Sequence, residues 1–237
     1  MSLLNFFPES DLKKTFIFIM LIFSFCFGET VQTAEVKQNA NVAFKELAAD
    51  TAKWQKTVSE NTKKINSIRS SFKQVKNLSF LSQQVTSGGK FLFEKNGTGH
   101  RLKWQYTSPF VYTILIDGQK ITMKDGNKVS SFDMSSSRVF EEINDIMVRS
   151  LNGTILSDSR NFTFSIKENG RSLMIEMVPV KGTPLNEYFK SIKMVMDTGD
   201  FTVNTLTMTE SGGDFTELTF TDKSINGHID ISEFRVE

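Results

Sequence analysis

The chain has 237 residues, with 28 Lys and Arg against 27 Asp and Glu and a formal net charge of +1. This balance argues against a nucleic-acid partner, which would favour a basic domain. The single cysteine lies close to the N-terminus, so we expect no disulfide in the fold and one domain with a moderate core.

The N-terminal segment has the pattern of an export signal. A Lys-Lys pair precedes the apolar run Thr15–Phe27, which is shorter than the about 20 residues that span a bilayer core. A basic stretch, a short apolar stretch and small residues after it predict a cleaved signal peptide over residues 1–28, cut near Gly28. The alternatives are lipidation at Cys26, which the bulky residue before it disfavours, and a retained anchor.

The segment from Val36 to about Val75 has apolar side chains at seven-residue intervals and contains no Gly or Pro. That spacing predicts a helix whose apolar stripe packs against its own domain, with a coiled-coil dimer as the alternative. A break near residues 59–61 would divide it into two helices. We therefore predict a helical extension over residues 29–58 and the main domain over residues 59–237.

From Leu78 onward the apolar spacing changes to two residues, as in strands with one buried face. The Asp-Gly pairs at residues 117–118 and 125–126 indicate tight turns, because Gly adopts positive φ without steric cost. The Gly88-Gly89 pair inside an alternating stretch indicates a bulge or a bend. The predicted strands are Phe80–Thr86, Lys90–Lys95, Arg101–Thr107, Val111–Ile116, Lys120–Lys124 and Lys128–Phe132.

Helical spacing returns in the stretch RVFEEINDIMVRSLNG, which has one apolar face. Ser137 can cap its start, and the Asn-Gly pair can end it. A short helix is also predicted at TPLNEYF, with Thr183 as its cap. The remaining predicted strands are Asn161–Lys167, Leu173–Pro179, Ser191–Asp197, Phe201–Met208 and Thr216–Thr221.

These elements predict the architecture of the domain. About eleven strands are too many for a flat open sheet, which tends to curl. The apolar faces of the helices also need a surface to cover. We therefore predict an α+β fold in which one strongly curved antiparallel sheet, an incomplete β-barrel, carries a helical lid over its concave face.

The sequence lacks the usual signatures of catalysis. His100 and His228 lie in turns without a second metal ligand at a suitable spacing, and no G-x-S-x-G elbow or phosphate-binding loop occurs. We therefore expect neither an enzyme nor a metal or cofactor site. The 22 Phe and ten Met suggest an apolar lining that adapts to varied guests, with ordinary core as the alternative for each residue.

One motif resembles that of a known family. The stretch Arg101–Pro109, RLKWQYTSP, matches the pattern R-[LF]-x-W-x-Y-x-x-P between a Gly-containing strand and a strand that ends in Asp-Gly. A Phe-x-Gln element, at the end of a short helix in the family, occurs at Phe72–Gln74. On these residues the chain resembles the periplasmic outer-membrane lipoprotein carrier (LolA) family over about Ser59 to Phe234. Later stretches are similar to members from Bacteroidetes-type bacteria.

The resemblance implies a periplasmic carrier whose apolar hollow shields lipoprotein acyl chains between the inner and the outer membrane. It implies release machinery in the inner membrane and an acceptor in the outer membrane as partners, and we expect a monomer. Arg101 resembles the arginine that latches the lid. The predicted lid residues are Ile143, Ile146, Met147, Leu185 and Phe189.

The cavity wall is predicted from the alternating strands, although both faces of Val111–Ile116 are apolar and the pattern leaves its inward face open. Three alternatives to a lipoprotein carrier stay open. They are an exported binding protein for another lipid or apolar ligand, a membrane-anchored acceptor lipidated at Cys26, and a lipid-ester hydrolase, which the missing nucleophile motif disfavours. The predicted wall residues are Phe91, Phe93, Leu102, Trp104, Tyr106, Ile114 and Ile116.

Overall fold

The structure is a computed structural model that describes residues 44–46, 51–97, 99–136 and 138–236. The predicted signal peptide at residues 1–28, the lipidation alternative at Cys26 and the Ser137 cap lie outside the described residues. The extension predicted over residues 29–58 is described only in part.

The described residues form one antiparallel sheet of twelve strands. The strands are β1 (Lys45–Glu46), β2 (Ser67–Asn77), β3 (Val85–Asn96), β4 (Gly99–Ser108), β5 (Tyr112–Asp117), β6 (Lys120–Asp125), β7 (Lys128–Asp133), β8 (Phe162–Glu168), β9 (Ser172–Pro179), β10 (Phe189–Asp197), β11 (Val203–Glu210) and β12 (Phe215–Ile225). Their spatial order is β1-β8-β9-β10-β11-β12-β2-β3-β4-β5-β6-β7. Because β1 and β7 are the two edges, the sheet curves without closing, which confirms the predicted incomplete barrel.

Three α-helices accompany the sheet in the described residues: α1 (Thr51–Thr62), α2 (Arg138–Leu151) and α3 (Pro184–Tyr188). Helix α2 joins β7, at one edge of the sheet, to β8, next to the other edge. Val58 of α1 and Ile146 of α2 belong to the same buried cluster as the inward side chains of the strands. The two helices therefore cover the concave face, as predicted for the lid. None of the helices in the described residues is long and apolar enough to span a bilayer.

Strand β2 corrects the prediction of a helix through this part of the chain. Alternate residues of β2 are buried, but this inward row includes the polar side chains of Ser70, Gln74 and Lys76. Because polar residues hide the two-residue spacing, the apolar residues alone gave a misleading seven-residue pattern. The Phe-x-Gln element at Phe72 therefore lies in a strand rather than at the end of a helix. The helix prediction holds for α1, which continues through the break predicted near residues 59–61, but not for Lys45–Glu46, which form strand β1.

The loop before β3 is a second correction. Residues 78–84 form turns and bends instead of the predicted strand, and Phe80 is 63% exposed. Within β3 the register with β4 shifts between Gly88 and Gly89, which confirms the predicted bulge. A Cβ atom on Gly89 would lie 1.9 Å from the carbonyl oxygen of Gln105, so the two backbones approach more closely there than a side chain allows.

The C-terminal segment packs across the convex face. The guanidinium of Arg69 on β2 donates two hydrogen bonds to the carboxylate of Glu233, at 2.5 and 2.8 Å. The ammonium of Lys103 on β4 donates to the backbone carbonyl of Glu233 at 2.6 Å. These contacts hold the segment over a small apolar cluster formed by Leu92, Leu115, Ile229 and Phe234.

Candidate binding site beneath helix α2

All the residues predicted as cavity wall are buried in one cluster on the concave side of the sheet. The structure decides the open question about β5: Ile114 and Ile116 join this inner cluster, whereas Leu115 packs on the convex side. Their role as a wall for acyl chains stays a prediction. Each of the seven is at most 5% exposed: Phe91, Phe93, Leu102, Trp104, Tyr106, Ile114 and Ile116.

Aromatic rings give this wall its shape. The Trp104 ring centroid lies 4.5 Å from that of Phe91, 5.1 Å from that of Phe72 and 6.0 Å from that of Phe220. Tilted and edge-on pairs at these separations stabilise one another beyond their buried area. Four strands, β2, β3, β4 and β12, therefore contribute to one aromatic surface.

The predicted lid residues divide between two kinds of position. Ile143, Ile146 and Met147 lie on α2 and are buried, at most 8% exposed. Leu185 is buried on α3, but Phe189 begins strand β10, so it is part of the sheet rather than of a helix. Helix α2 is therefore the main cover of the concave face.

Thr183 stands at the predicted N-cap position of α3, but it does not cap the helix. Its hydroxyl donates to the carbonyl oxygen of Val180 at 2.7 Å instead of accepting from a helix N–H. This corrects the predicted capping role, although the helix begins at Pro184 as expected.

A small cavity of about 30 Å³ lies between α2 and the sheet. Sites for drug-sized ligands measure about 300 to 1,000 Å³, so side chains of the lid fill most of the predicted hollow. A ligand of that size would fit here only if α2 moved aside. The cavity is lined by Ile68, Ser70, Phe91, Met147, Ser150, Leu151, Met194, Thr202, Val203, Leu206, Phe220 and Lys223.

A bulge brings Lys223 into this lining, and the sequence pattern did not predict it. The pairing of β12 with β2 shifts between Thr221 and Ser224, and the intervening Asp222 has a φ of 52°. Bulges of this kind redirect a side chain. The ammonium of Lys223 donates to Thr202 Oγ1 and lies 4.0 Å from a carboxylate oxygen of Asp200.

The C-terminal end of α2 is fixed by polar contacts. Arg149 Nη1 donates to Asp158 Oδ2 at 2.6 Å, and the Asp158 side chain is only 5% exposed. Burial raises the pKa of Asp158, but hydrogen bonds from Asn161 and Arg149 outweigh it and leave the pKa below its ordinary value. Gln55 of α1 donates to the carbonyl of Leu156 at 2.6 Å, which ties α1 to the same segment.

Arg101, the predicted latch, pairs with acidic side chains on the strands beside it. It lies 3.5 Å from Glu94 on β3 and 3.2 Å from Asp117 on β5. These contacts join three neighbouring strands, and the role of Arg101 as a latch stays a prediction.

Lys76 is a buried polar residue near the end of the inward row of β2. The Lys76 side chain is buried, which lowers its pKa to about 7, although the charge of Glu210 opposes that shift. Nearby on the row, Gln74 accepts a hydrogen bond of 2.9 Å from the hydroxyl of Tyr106. Burial raises the pKa of Tyr106 to about 12. Within the described residues, no group of three or more His, Cys, Asp or Glu side chains could hold a metal ion.

Sequence comparison identifies one family. The family described as outer membrane lipoprotein carrier protein LolA matches residues 63–237. A comparison with curated protein sequences finds no match.

Solved structures are similar to this chain at low identity. MucB is 11% identical, with a TM-score of 0.50, over 81% of this chain and 64% of MucB. MucB in its complex with MucA from Pseudomonas aeruginosa is 10% identical, with a TM-score of 0.49, over 80% of this chain and 62% of the other. Lipoprotein LppX from Mycobacterium tuberculosis is 11% identical, with a TM-score of 0.42, over 77% of this chain and 100% of LppX. The chain thus spans less than two thirds of MucB.

Proposed function

The chain belongs to the outer membrane lipoprotein carrier protein LolA family, and we propose that it carries lipoproteins from the inner to the outer membrane of its cell. In this proposal the concave face of the sheet covers the acyl chains in the periplasm, and the protein acts without catalysis, metal or cofactor. The observation that carries the proposal is the buried apolar face of α2, which lies over an apolar concave wall and encloses a cavity.

The need for a carrier follows from the cost of exposing acyl chains to water. A triacylated lipoprotein brings about 45 methylenes, and at about 0.8 kcal/mol for each of them their exposure costs tens of kcal/mol. Unaided crossing of an aqueous compartment is therefore negligibly slow. A protein wall that replaces the membrane around these chains removes most of that barrier.

Complete cover would create the opposite problem, because release would then be too slow. Noncovalent affinities reach a limit near roughly −20 kcal/mol, and a carrier must remain well short of it. In the closed structure the wall is already covered by Met147 and its neighbours on α2, so a ligand must displace these contacts before it gains its own. Binding then exchanges one set of apolar contacts for another, and loading and release remain close to balance.

Direction must then come from partners. We propose release machinery in the inner membrane that opens the lid and delivers the lipoprotein, and an acceptor in the outer membrane that withdraws it. A monomer suits this role because it presents the same opening to both. These partners follow from the family resemblance and from the energetic balance between the open and the closed lid.

The test is native mass spectrometry of the protein isolated from the periplasm of its own cells. We expect a bound fraction whose added mass is that of a diacylated or triacylated polypeptide. A free fatty acid, a glycolipid or a pigment would instead favour the alternative of an exported carrier for another apolar ligand. The N-terminal residue of the mature protein, read in the same experiment, separates a cleaved carrier from an acceptor anchored through Cys26.

A second measurement tests the transfer itself. Donor vesicles that contain a synthetic triacylated cysteinyl peptide are incubated with the purified protein, which is then separated and added to acceptor vesicles. We expect the peptide to appear in the soluble complex and then in the acceptor vesicles. A protein that leaves all of the peptide in the donor vesicles would contradict the proposal unless purified inner-membrane machinery restored the transfer.

A further inference from the structure

One buried polar group in the cavity has no explanation in the packing of the closed fold. Ser70 lies on the inward row of β2, is 3% exposed and lines the cavity. Its hydroxyl has no hydrogen-bond partner among the described residues. A buried donor without a partner is uncommon in folded proteins, because its desolvation is not repaid. The hydroxyl is therefore available to donate to an acceptor that arrives from outside.

A second neutral donor lies two strands away on the same face. Ser70 is directly opposite Phe91 on β3, and Phe91 is directly opposite Trp104 on β4. At a strand spacing of about 4.8 Å, the backbones of Ser70 and Trp104 are about 10 Å apart. The indole N–H of Trp104 also lacks a hydrogen-bond partner within the described part of the chain. Phe91 thus stands between Ser70 and Trp104 in this cross-strand row of inward residues.

The charges around the cavity favour a neutral ligand group over an anion. Lys223 is the cation in the lining, and it already donates to Thr202 and Asn204 and lies 4.0 Å from the carboxylate of Asp200. Two of its three N–H donors are therefore engaged, and a carboxylate lies nearby, before any ligand enters. The two unused donors, a hydroxyl and an indole N–H, carry no charge.

We propose that Ser70, with Trp104 two strands away, provides a subsite for the carbonyl oxygens of ester-linked or amide-linked acyl chains, one oxygen to each donor, so that the protein recognises the head of the chain as well as its hydrocarbon. This inference rests on the proposed carrier function and deepens it. A carbonyl oxygen is a neutral acceptor, and it occurs where each acyl chain joins the glyceryl or amino group of a lipoprotein. When α2 moves aside, the chain lies along the apolar wall and its carbonyl accepts from Ser70.

The subsite predicts that, among ligands of similar chain length, affinity depends on whether the chain carries a carbonyl group. The assay is displacement of the apolar dye N-phenyl-1-naphthylamine by three probes: methyl palmitate, which has an ester carbonyl, heptadecane, which has none, and palmitate, which has a carboxylate. Comparing each variant with the wild type for each probe removes the differences in solubility between probes.

For Ser70→Ala we expect the ratio of methyl palmitate affinity to heptadecane affinity to fall by roughly five- to tenfold, the effect of one lost hydrogen bond. Ser70→Thr keeps the hydroxyl and should retain most of the wild-type ratio. The melting temperature of unliganded Ser70→Ala should be no lower than that of the wild type, because the lost hydroxyl had no partner in the closed fold.

Other outcomes overturn the inference in distinguishable ways. An unchanged ester-to-hydrocarbon ratio in Ser70→Ala, or a lower melting temperature, would overturn the subsite alone. A loss confined to palmitate would replace it with a carboxylate site for free fatty acids. If the wild type bound none of the three probes, the carrier function and the subsite would both be wrong.

Discussion

Gly153, just after the lid helix α2, lies against Thr62 at the end of α1. A Cβ atom on Gly153 would come within 2.0 Å of Thr62 Oγ1 and within 3.0 Å of the Val58 carbonyl oxygen. Thr62 Oγ1 donates to that same carbonyl at 2.7 Å, so the hydroxyl cannot turn away without losing its hydrogen bond. Gly153 also has a φ of +71°, which disfavours any side chain. The two helices covering the sheet thus meet through a contact that only glycine allows.

We therefore expect Gly153→Ala to lower the free energy of unfolding by about 2–5 kcal/mol, the sum of a left-handed backbone cost and an overpacking cost. The measurement is urea unfolding at equilibrium. Gly126→Ala is the matched control, because Gly126 has a φ of +56° and a Cβ atom there would meet nothing within 4 Å. Equal losses in the two variants would show that backbone strain alone accounts for the effect.

The ion pair between Arg149 and Asp158 gives the lid a stability that depends on pH. Because the pKa of Asp158 is lower in the folded protein than its ordinary value, ionisation favours folding above about pH 3.9. This contribution is lost as the pH falls through the folded pKa. We expect Asp158→Asn to lower the free energy of unfolding by about 1–3 kcal/mol at pH 7.

The same variant should differ less from the wild type at pH 3, because below about pH 3.9 unfolding takes up a proton on this carboxyl group and the contribution of its ionisation declines. Urea unfolding at both pH values measures the difference. Asp125→Asn, at the exposed end of β6, is the control and should change stability little at either pH. A gap between wild type and Asp158→Asn that stayed constant with pH would rule out the ionised carboxylate as its source.

A charge on the buried face of the lid should open it. Met147 lines the cavity and is 8% exposed, so Met147→Glu places a carboxylate in apolar surroundings. We expect stability to fall by about 2–4 kcal/mol and the uptake of N-phenyl-1-naphthylamine to rise. Val129→Glu introduces the same charge at a side chain that is 50% exposed, so it should change neither stability nor dye uptake. Unchanged stability and unchanged dye uptake in Met147→Glu would remove α2 from the lid.

Lys76 should make the fold more stable at alkaline pH. Its pKa is about 7 in the folded protein and about 10.4 in the unfolded chain. Between these two pH values the unfolded chain binds more protons than the folded protein, so the free energy of unfolding rises with pH over this range. We expect Lys76→Met to remove that rise and to be more stable than the wild type at pH 6, where the wild type buries a charge. Lys73→Met, at an exposed position of the same strand, is the control, with urea unfolding at pH 6 and pH 9. A Lys76→Met protein less stable than the wild type at pH 6 would contradict this explanation.

Arg101 is tested through transfer kinetics. If it latches the lid, Arg101→Leu should slow the release of a triacylated peptide to acceptor vesicles several-fold. Arg171→Leu, at an exposed position, is the control. Normal release by Arg101→Leu would leave its ion pairs with Glu94 and Asp117 as cross-strand contacts without a part in transfer.

The sequence predicted best those strands whose buried face is entirely apolar. In β4, Leu102, Trp104 and Tyr106 alternate with polar residues, and this signal located both the strand and its inward face. The turns at residues 117–118 and 125–126 were equally clear, because Gly118 and Gly126 both have positive φ. Local pattern and tertiary packing agree at these places.

Prediction failed where a polar residue faces inward. Ser70 and Lys76 broke the alternation of β2, and the bulge beside Asp222 brought Lys223 to the concave side against the expected order. These positions are costly in packing, and two of them, Ser70 and Lys223, line the cavity. Strands β2 and β12 are far apart in the chain, and it is their pairing in the structure that brings Ser70 and Lys223 to the same cavity.

The position of α2 in the chain limits how the protein can open. One end of the helix follows the edge strand β7, and the other leads back to β8, which lies next to the opposite edge strand β1. Helix α2 is thus tethered to the sheet at both ends, so neither end is free to swing away. Moving the two edges of the sheet apart pulls on both ends of α2, and lifting α2 pulls on both edges. The distance between the edges and the height of α2 above the sheet therefore change together as a ligand enters.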